Sequence, residues 1–326
     1  MSDDILLEIK DLRVSYKVFE GRLRVLDGLQ FKVNRGERVG LVGEAGCGKT
    51  TTMKTILRIL PRFVSEVEGG KILFNGADIL TMRGRELQKL RSQGIAMIFQ
   101  DPTAALNPVF TVGEQMQDVI RYALPKGERK RDTILDIARK ALKDVYLPDQ
   151  DRILGNYPVQ LSGGMRQRIC ISMSITTPRD LLIADEPGTS LDVTIQDQVL
   201  RLLRELVEKK GTSIILITHS LGVAREMTDR VYVMYGGSIV EVAKTSELFR
   251  EPLHPYTHGL LASVPRISGG GMGNGIPGQI PDYLNPPSGC RFHPRCSHAT
   301  EECRQMPPGF YDQGNGHCVA CFLYRR

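Results

Sequence analysis

No apolar run in this 326-residue chain approaches the roughly 20 residues that a bilayer-spanning helix needs. The longest such stretches, as at residues 214–217, are of strand length. The start, Met1-Ser2-Asp3-Asp4, is acidic and has no apolar signal-peptide region, so a cytosolic chain is expected. Work at a membrane then requires a membrane partner. Neither sign of charge dominates: 43 Lys and Arg stand against 37 Asp and Glu, a net +6. The basic residues are dispersed, which leaves no footprint for nucleic acid. There is no internal repeat. With 41% hydrophobic and 25% charged residues, the composition excludes a disordered, collagenous or coiled-coil chain. The length suits one large domain with an appendage, or two domains, with a core that needs no disulfides.

The 7 cysteines are unevenly placed. Cys47 and Cys170 stand alone, while Cys290, Cys296, Cys303, Cys318 and Cys321 crowd the C-terminal end. In a reducing compartment such crowding reads as a metal site before it reads as disulfides.

Strand patterns cover residues 6–15, 25–33, 37–42, 71–74 and 95–99, with Gly69-Gly70 opening the fourth and Asn75-Gly76 as a turn. Residues 49–60 have helical periodicity and stop at Pro61. Residues 112–122, 132–145 and 163–175 read as helices, with a solvated charged loop at 126–131. Strands at 181–184, 213–218 and 231–235 then alternate with helices at 192–209 and 221–227. Such alternation predicts a parallel sheet covered on both faces, into which the helical stretch is inserted. Residues 268–278 contain six glycines and read as a linker. The Pro- and Cys-rich remainder has little periodicity and is expected to fold poorly unless cross-linked.

Gly43-Glu44-Ala45-Gly46-Cys47-Gly48-Lys49-Thr50 fits G-x-x-x-x-G-K-[ST] between a strand and a helix. Its glycines let backbone N–H groups turn toward phosphate oxygens, and the helix N-terminus adds positive potential. Lys49 is expected on the β- and γ-phosphates and Thr50 on Mg²⁺. Cys47, at the same helix start, is a candidate reactive thiol. The strand at 181–184 runs into Asp185-Glu186. Asp185 can orient water on Mg²⁺ and Glu186 can polarise an attacking water, which is a hydrolase arrangement. In Leu161-Ser162-Gly163-Gly164, Ser162 is a helix N-cap candidate and the glycines offer a second anion site.

Together these motifs resemble the ATP-binding subunit of ABC transporters, in that family's order and over nearly the whole chain. The resemblance implies an α/β P-loop NTPase (RecA-like) core with an antiparallel β subdomain. It also implies a helical insertion at about 102–178 and a small Cys-rich C-terminal segment. The cassette is expected over residues 1–263 and the tail over 264–326. By the same resemblance Gln100 is the Q-loop glutamine, Ser190-Leu191-Asp192 the D-loop and His219 the switch histidine. Glu186, His219 and Gln100 are the implied catalytic set; Thr50, Gln100 and Asp185 the Mg²⁺ set. ATP would lie on residues 43–50, Thr51 and Gln100, with Tyr16 stacked on adenine. Ser162, Gly163, Gly164 and Gln167 would reach ATP from a partner chain. Ala45, Cys47, Gly188, Ser190 and Ser220 depart from common family residues, but none of these changes removes a catalytic side chain.

The tail narrows the resemblance. Pro252-Leu253-His254-Pro255-Tyr256-Thr257 and Pro286-Pro287-Ser288-Gly289-Cys290, with Phe292, Pro294, Arg295 and Cys296 following, resemble dipeptide and oligopeptide importers. The Met165 form of the signature resembles the first of their two unlike ATPases. That implies a second, unlike ATPase, two permeases and an external substrate-binding protein, with this chain on the cytoplasmic face of the cell membrane. Relatives of this kind also import nickel, glutathione or oligosaccharides; soluble ABC ATPases of DNA repair or translation are a more distant alternative. Cys290, Cys296, Cys303 and Cys321 resemble the family's [4Fe–4S] site, with Cys318 as an alternative ligand. Zn²⁺ is the rival, because Cys318-x2-Cys321 lies near His293, His298 and His317.

Overall fold

The computed structural model describes residues 4–189, 191–264 and 275–325. Ser190 of the expected D-loop, and most of the expected linker, lie outside them. In chain order the first half holds β1 (Ile5–Val18), β2 (Gly21–Asn34), β3 (Arg38–Val42), α1 (Lys49–Ile56), β4 (Ser65–Phe74), β5 (Ala77–Asp78), α2 (Gly84–Lys89), β6 (Ile95–Ile98), α3 (Pro102–Ala105), α4 (Val112–Ala123), α5 (Arg131–Asp144) and α6 (Gln150–Gly155). Then follow α7 (Gly163–Ile175), β7 (Leu181–Asp185), α8 (Val193–Lys210), β8 (Ser213–Thr218), α9 (Leu221–Met227), β9 (Arg230–Tyr235), β10 (Ser238–Lys244), α10 (Thr245–Arg250), α11 (Pro255–Ala262), α12 (Glu301–Gln305), β11 (Tyr311–Asp312) and β12 (Cys318–Val319). The chain divides into two compact units, Met1–Thr81 with Leu216–Arg326 and Met82–Ile215. The division falls inside β8.

The first unit contains an antiparallel sheet in the order β2-β1-β4-β5. Its inward row, including Leu7, Leu12, Val14 and Val33, is fully buried. Asn75 and Gly76 both have positive φ (51° and 79°), which forms the two-residue hairpin between β4 and β5. Gly69 and Gly70 do not open β4, as the sequence suggested; they lie inside it, opposite a register shift between Lys10 and Arg13 of β1. A Cβ on Gly70 would meet the Asp11 carbonyl at 2.5 Å, so the close approach at the bulge requires glycine. The unit's second sheet runs β11-β12-β10-β9-β3. β3 and β9 pair in parallel, whereas β9, β10, β12 and β11 pair antiparallel.

The tail is therefore better anchored than its sequence suggested. β12 pairs Cys318 with Val242 and Val319 with Glu241. Phe292, 3% exposed, packs against Tyr235 and Tyr256 with ring centroids 5.1 and 5.5 Å away. These contacts supply cohesion that periodicity cannot reveal.

In the second unit β6 and β7 pair in parallel, from Ile95↔Leu181 to Ile98↔Ala184. α4 begins in a capping box: Glu114 N–H donates to Thr111 Oγ1 at 3.2 Å and Thr111 N–H donates to Glu114 Oε2 at 2.7 Å. α8 is capped by Asp192, which accepts from Ile195 N–H at 3.0 Å, and ends at Gly211 with φ 62°. No helix among the described residues is long and apolar enough to cross a membrane.

Candidate functional site

The first unit carries the phosphate loop between β3 and α1. A Cβ on Gly43 would lie 2.2 Å from the Met234 carbonyl. Gly48, with φ 110°, starts α1 and would bring a Cβ within 2.8 Å of Leu26 and Met234 side chains. Both positions are closed to side chains, which leaves the backbone as the loop's inner surface. Lys49 is 6% exposed, and its Nζ donates to the Gly43 and Glu44 carbonyls at 2.8 and 2.9 Å. The loop thus holds the ammonium centrally, where a triphosphate needs its countercharge.

Tyr16 of β1 places its hydroxyl 3.4 Å from Thr51 Oγ1, so the aromatic ring stands beside the first turn of α1. His219 is exposed on the segment between β8 and α9, followed by Ser220, which caps α9. Cys47 corrects the sequence expectation. It is 1% exposed, and burial pushes its thiol pKa up despite the neighbouring Lys49. Desolvation outweighs the pull of Lys49, so this thiol is not activated.

The loop has contacts that sequence reasoning missed. The Tyr256 hydroxyl accepts from Glu44 N–H at 2.9 Å. The Tyr283 hydroxyl donates to the Gly46 carbonyl at 2.9 Å. Arg295 pairs with the Glu44 carboxylate at 2.7 Å, and that hydrogen bond raises the already high pKa of the guanidinium. No local pattern links residues separated by about 210 to 250 positions.

In the second unit, Asp185 ends β7 at 3% exposure. Glu186 follows with φ 47°, a left-handed conformation unusual for a non-glycine residue. Gln100 Nε2 donates to Glu186 Oε2 at 2.9 Å. The structure thus brings together two groups 86 residues apart in sequence. Ser162 caps α7 by accepting from Met165 N–H at 3.3 Å. At Gly164 a Cβ would meet Ile195 Cγ2 of α8 at 2.9 Å, so a side chain there would force the isoleucine to shift. Gln167 is placed differently from a surface ligand. It is 1% exposed, and its Nε2 donates to the Pro187 carbonyl at 2.7 Å.

The C-terminal cysteines are all free thiols. Cys290, Cys296, Cys303 and Cys321 line one cavity of about 170 Å³, with His254, His293 and His298 also on its wall. Burial raises the Cys290 thiol pKa to about 11, with the Cys303, Cys321 and Cys296 thiols adding to the rise. Cys318 is elsewhere, on β12 beside Asp312. His317 Nε2 is 2.7 Å from Glu241 Oε1. Among the described residues no three His, Cys, Asp or Glu side chains are drawn closely enough together to hold a metal ion.

A strand-loop-helix phosphate cradle and a carboxylate-ended buried strand define the class: a P-loop nucleoside triphosphatase. The family described as ABC transporter matches residues 26–189, and the family described as oligopeptide/dipeptide transporter, C-terminal region, matches residues 240–303. A probable peptide ABC transporter ATP-binding protein of Sinorhizobium fredii is 43% identical over 98% of this chain and 95% of its own length. The dipeptide transport ATP-binding protein DppD of Bacillus subtilis is 41% identical over 98% of this chain and 94% of its own length. A dimeric ATP-binding cassette, MJ0796 bound to ADP and Pi after hydrolysis, superposes with TM-score 0.65 and 25% identity. It covers 73% of this chain and 98% of its own. The chain belongs to the ABC transporter family, among the ATP-binding proteins of dipeptide and oligopeptide transporters. Its ligand is ATP and its reaction ATP hydrolysis. Such a subunit works with membrane permeases.

Proposed function

We propose that this chain energises peptide import by hydrolysing ATP held between its own phosphate loop and the signature helix of a second, unlike ATPase. The observation that carries this reading is one chain holding both a Lys49-centred phosphate loop and an oligopeptide-transporter tail. Residues 1–263 form the cassette, with the helical insertion at about 102–178 facing the permeases, and 264–326 form the tail. Two permease subunits and an external binding protein complete the assembly, with this chain on the cytoplasmic membrane face.

In this reading Lys49 and the backbone N–H groups of the loop bind the β- and γ-phosphates, and Tyr16 stacks on adenine. Mg²⁺ would be held by Thr50, Gln100 and Asp185; it would spread the charge of the phosphates. Glu186 takes a proton from the attacking water, and its 2.9 Å bond to Gln100 orients the carboxylate. His219 stabilises charge on the γ-phosphate. Ser162, Gly163 and Gly164 serve the partner's ATP. Gln167 supports that helix from within, through its bond to Pro187.

A [4Fe–4S] group would be held by Cys290, Cys296, Cys303 and Cys321. These four thiols share the wall of one cavity of about 170 Å³ and are the donor type such a group takes, but in the structure they are not drawn together to ligation distance. Zn²⁺ through Cys318 fits less well, because Cys318 is off the cavity and His317 is taken by Glu241. When bound, such a group would cross-link the tail.

The test is a reconstituted transporter in proteoliposomes with peptide-loaded binding protein. Glu186→Gln should retain ATP binding while turnover falls by about 100- to 10,000-fold, and peptide uptake should cease with it. Uptake at the wild-type rate in that variant would refute the reading.

A further inference from the structure

Glu44 poses an electrostatic problem. It is the second residue of the phosphate loop, and a carboxylate there repels a triphosphate. The fold answers it from the tail. Arg295 Nη1 and Nη2 donate to the two Glu44 carboxylate oxygens at 2.7 and 3.1 Å, a bidentate pair. The Arg295 side chain is 5% exposed, against 30% for Glu44. Arg295 is itself held: Nε donates to the Pro277 carbonyl at 2.8 Å and Nη2 to the Ile276 carbonyl at 3.1 Å. Its guanidinium carbon lies 5.7 Å from the Tyr235 ring centroid. The next residue, Cys296, lines the cysteine cavity.

We propose that Arg295 is a positioning residue for ATP, which neutralises Glu44 and holds its carboxylate away from the phosphates. The inference rests on residues 43–50 being the ATP site. It makes the C-terminal segment part of nucleotide binding within one chain. Arg295 touches no phosphate; it acts through Glu44. Its guanidinium bonds leave the carboxylate little freedom to swing into the loop.

Double-mutant analysis on the purified full chain tests this, with a non-hydrolysable Mg-ATP analogue as probe. Arg295→Met keeps the apolar stem and removes the charge. It should weaken binding about three- to thirtyfold at low salt, and the gap should narrow as salt screens Glu44. Glu44→Gln, which removes the repelling charge and leaves the guanidinium, should bind more tightly than wild type. The double variant should recover most of the affinity lost in Arg295→Met. A packing role alone predicts no such recovery. Wild-type affinity in Arg295→Met, or a double variant as weak as that single change, would overturn the proposal. Should Arg295→Met fail to fold, Glu44→Gln decides alone: weaker binding than wild type refutes the proposal. Failure of the wild-type chain itself to bind the probe would instead refute the ATP site.

Discussion

At the residue scale, side-chain chemistry is set by what each group is packed against. Three cysteines at conspicuous positions show this. Cys47 stands at a helix start, yet burial keeps it a thiol. Cys321 and Cys318 are three positions apart in sequence with different surroundings: one faces the cavity, the other pairs within a strand beside Asp312. If the cavity holds an iron–sulfur group, Cys321→Ser should lose visible absorbance and iron after anaerobic purification, while Cys318→Ser should keep both. Equal loss in both variants, or stoichiometric zinc in a colourless wild-type protein, would contradict the assignment.

At the element scale, what was legible in the sequence was what is local. The phosphate loop, the Ser162 cap and the Asn75-Gly76 turn each depend on a few consecutive residues, and each formed where expected. The helices α4, α5, α7, α8 and α9 matched their periodicity within a few residues, whereas the short α6 was not foreseen. Pairings made over long separations were not legible. β12 is two residues long and has no periodicity; its place is set by Val242 and Glu241 of β10. The Gln100–Glu186 contact was likewise beyond local pattern, although both residues were singled out individually.

The cap of α11 was missed for a related reason. His254 is not a common capping residue, yet its Nδ1 accepts from Tyr256 N–H at 3.0 Å. It is buried, and burial pushes its pKa down to about 4. The folded chain therefore keeps His254 neutral, while the unfolded chain protonates it below about 6.5. Stability should fall as pH drops from 6.5 toward 4, by up to about 3 kcal/mol from this residue. Above pH 6.5 it contributes no pH dependence. His254→Asn keeps a capping acceptor without a titrating ring. Its thermal unfolding midpoint should depend less steeply on pH over that window than that of wild type; equal slopes would contradict the account.

At the scale of the whole molecule, the chain carries one of each motif. The phosphate loop lies in one compact unit and the signature helix and carboxylate-ended strand in the other. Under the proposed function, a nucleotide that takes Lys49 from one polypeptide and Ser162 from another would make catalysis a property of the assembly. The tail adds a contribution from within the chain, through Arg295 and Tyr283 on the loop.

The most direct test of this account is ATP turnover by the purified chain across a range of protein concentrations, with and without its sister ATPase. Turnover per chain should be negligible for the dilute monomer and rise steeply on adding the sister subunit. A strict monomer that turns over ATP at the full rate of the assembled transporter would contradict the shared site.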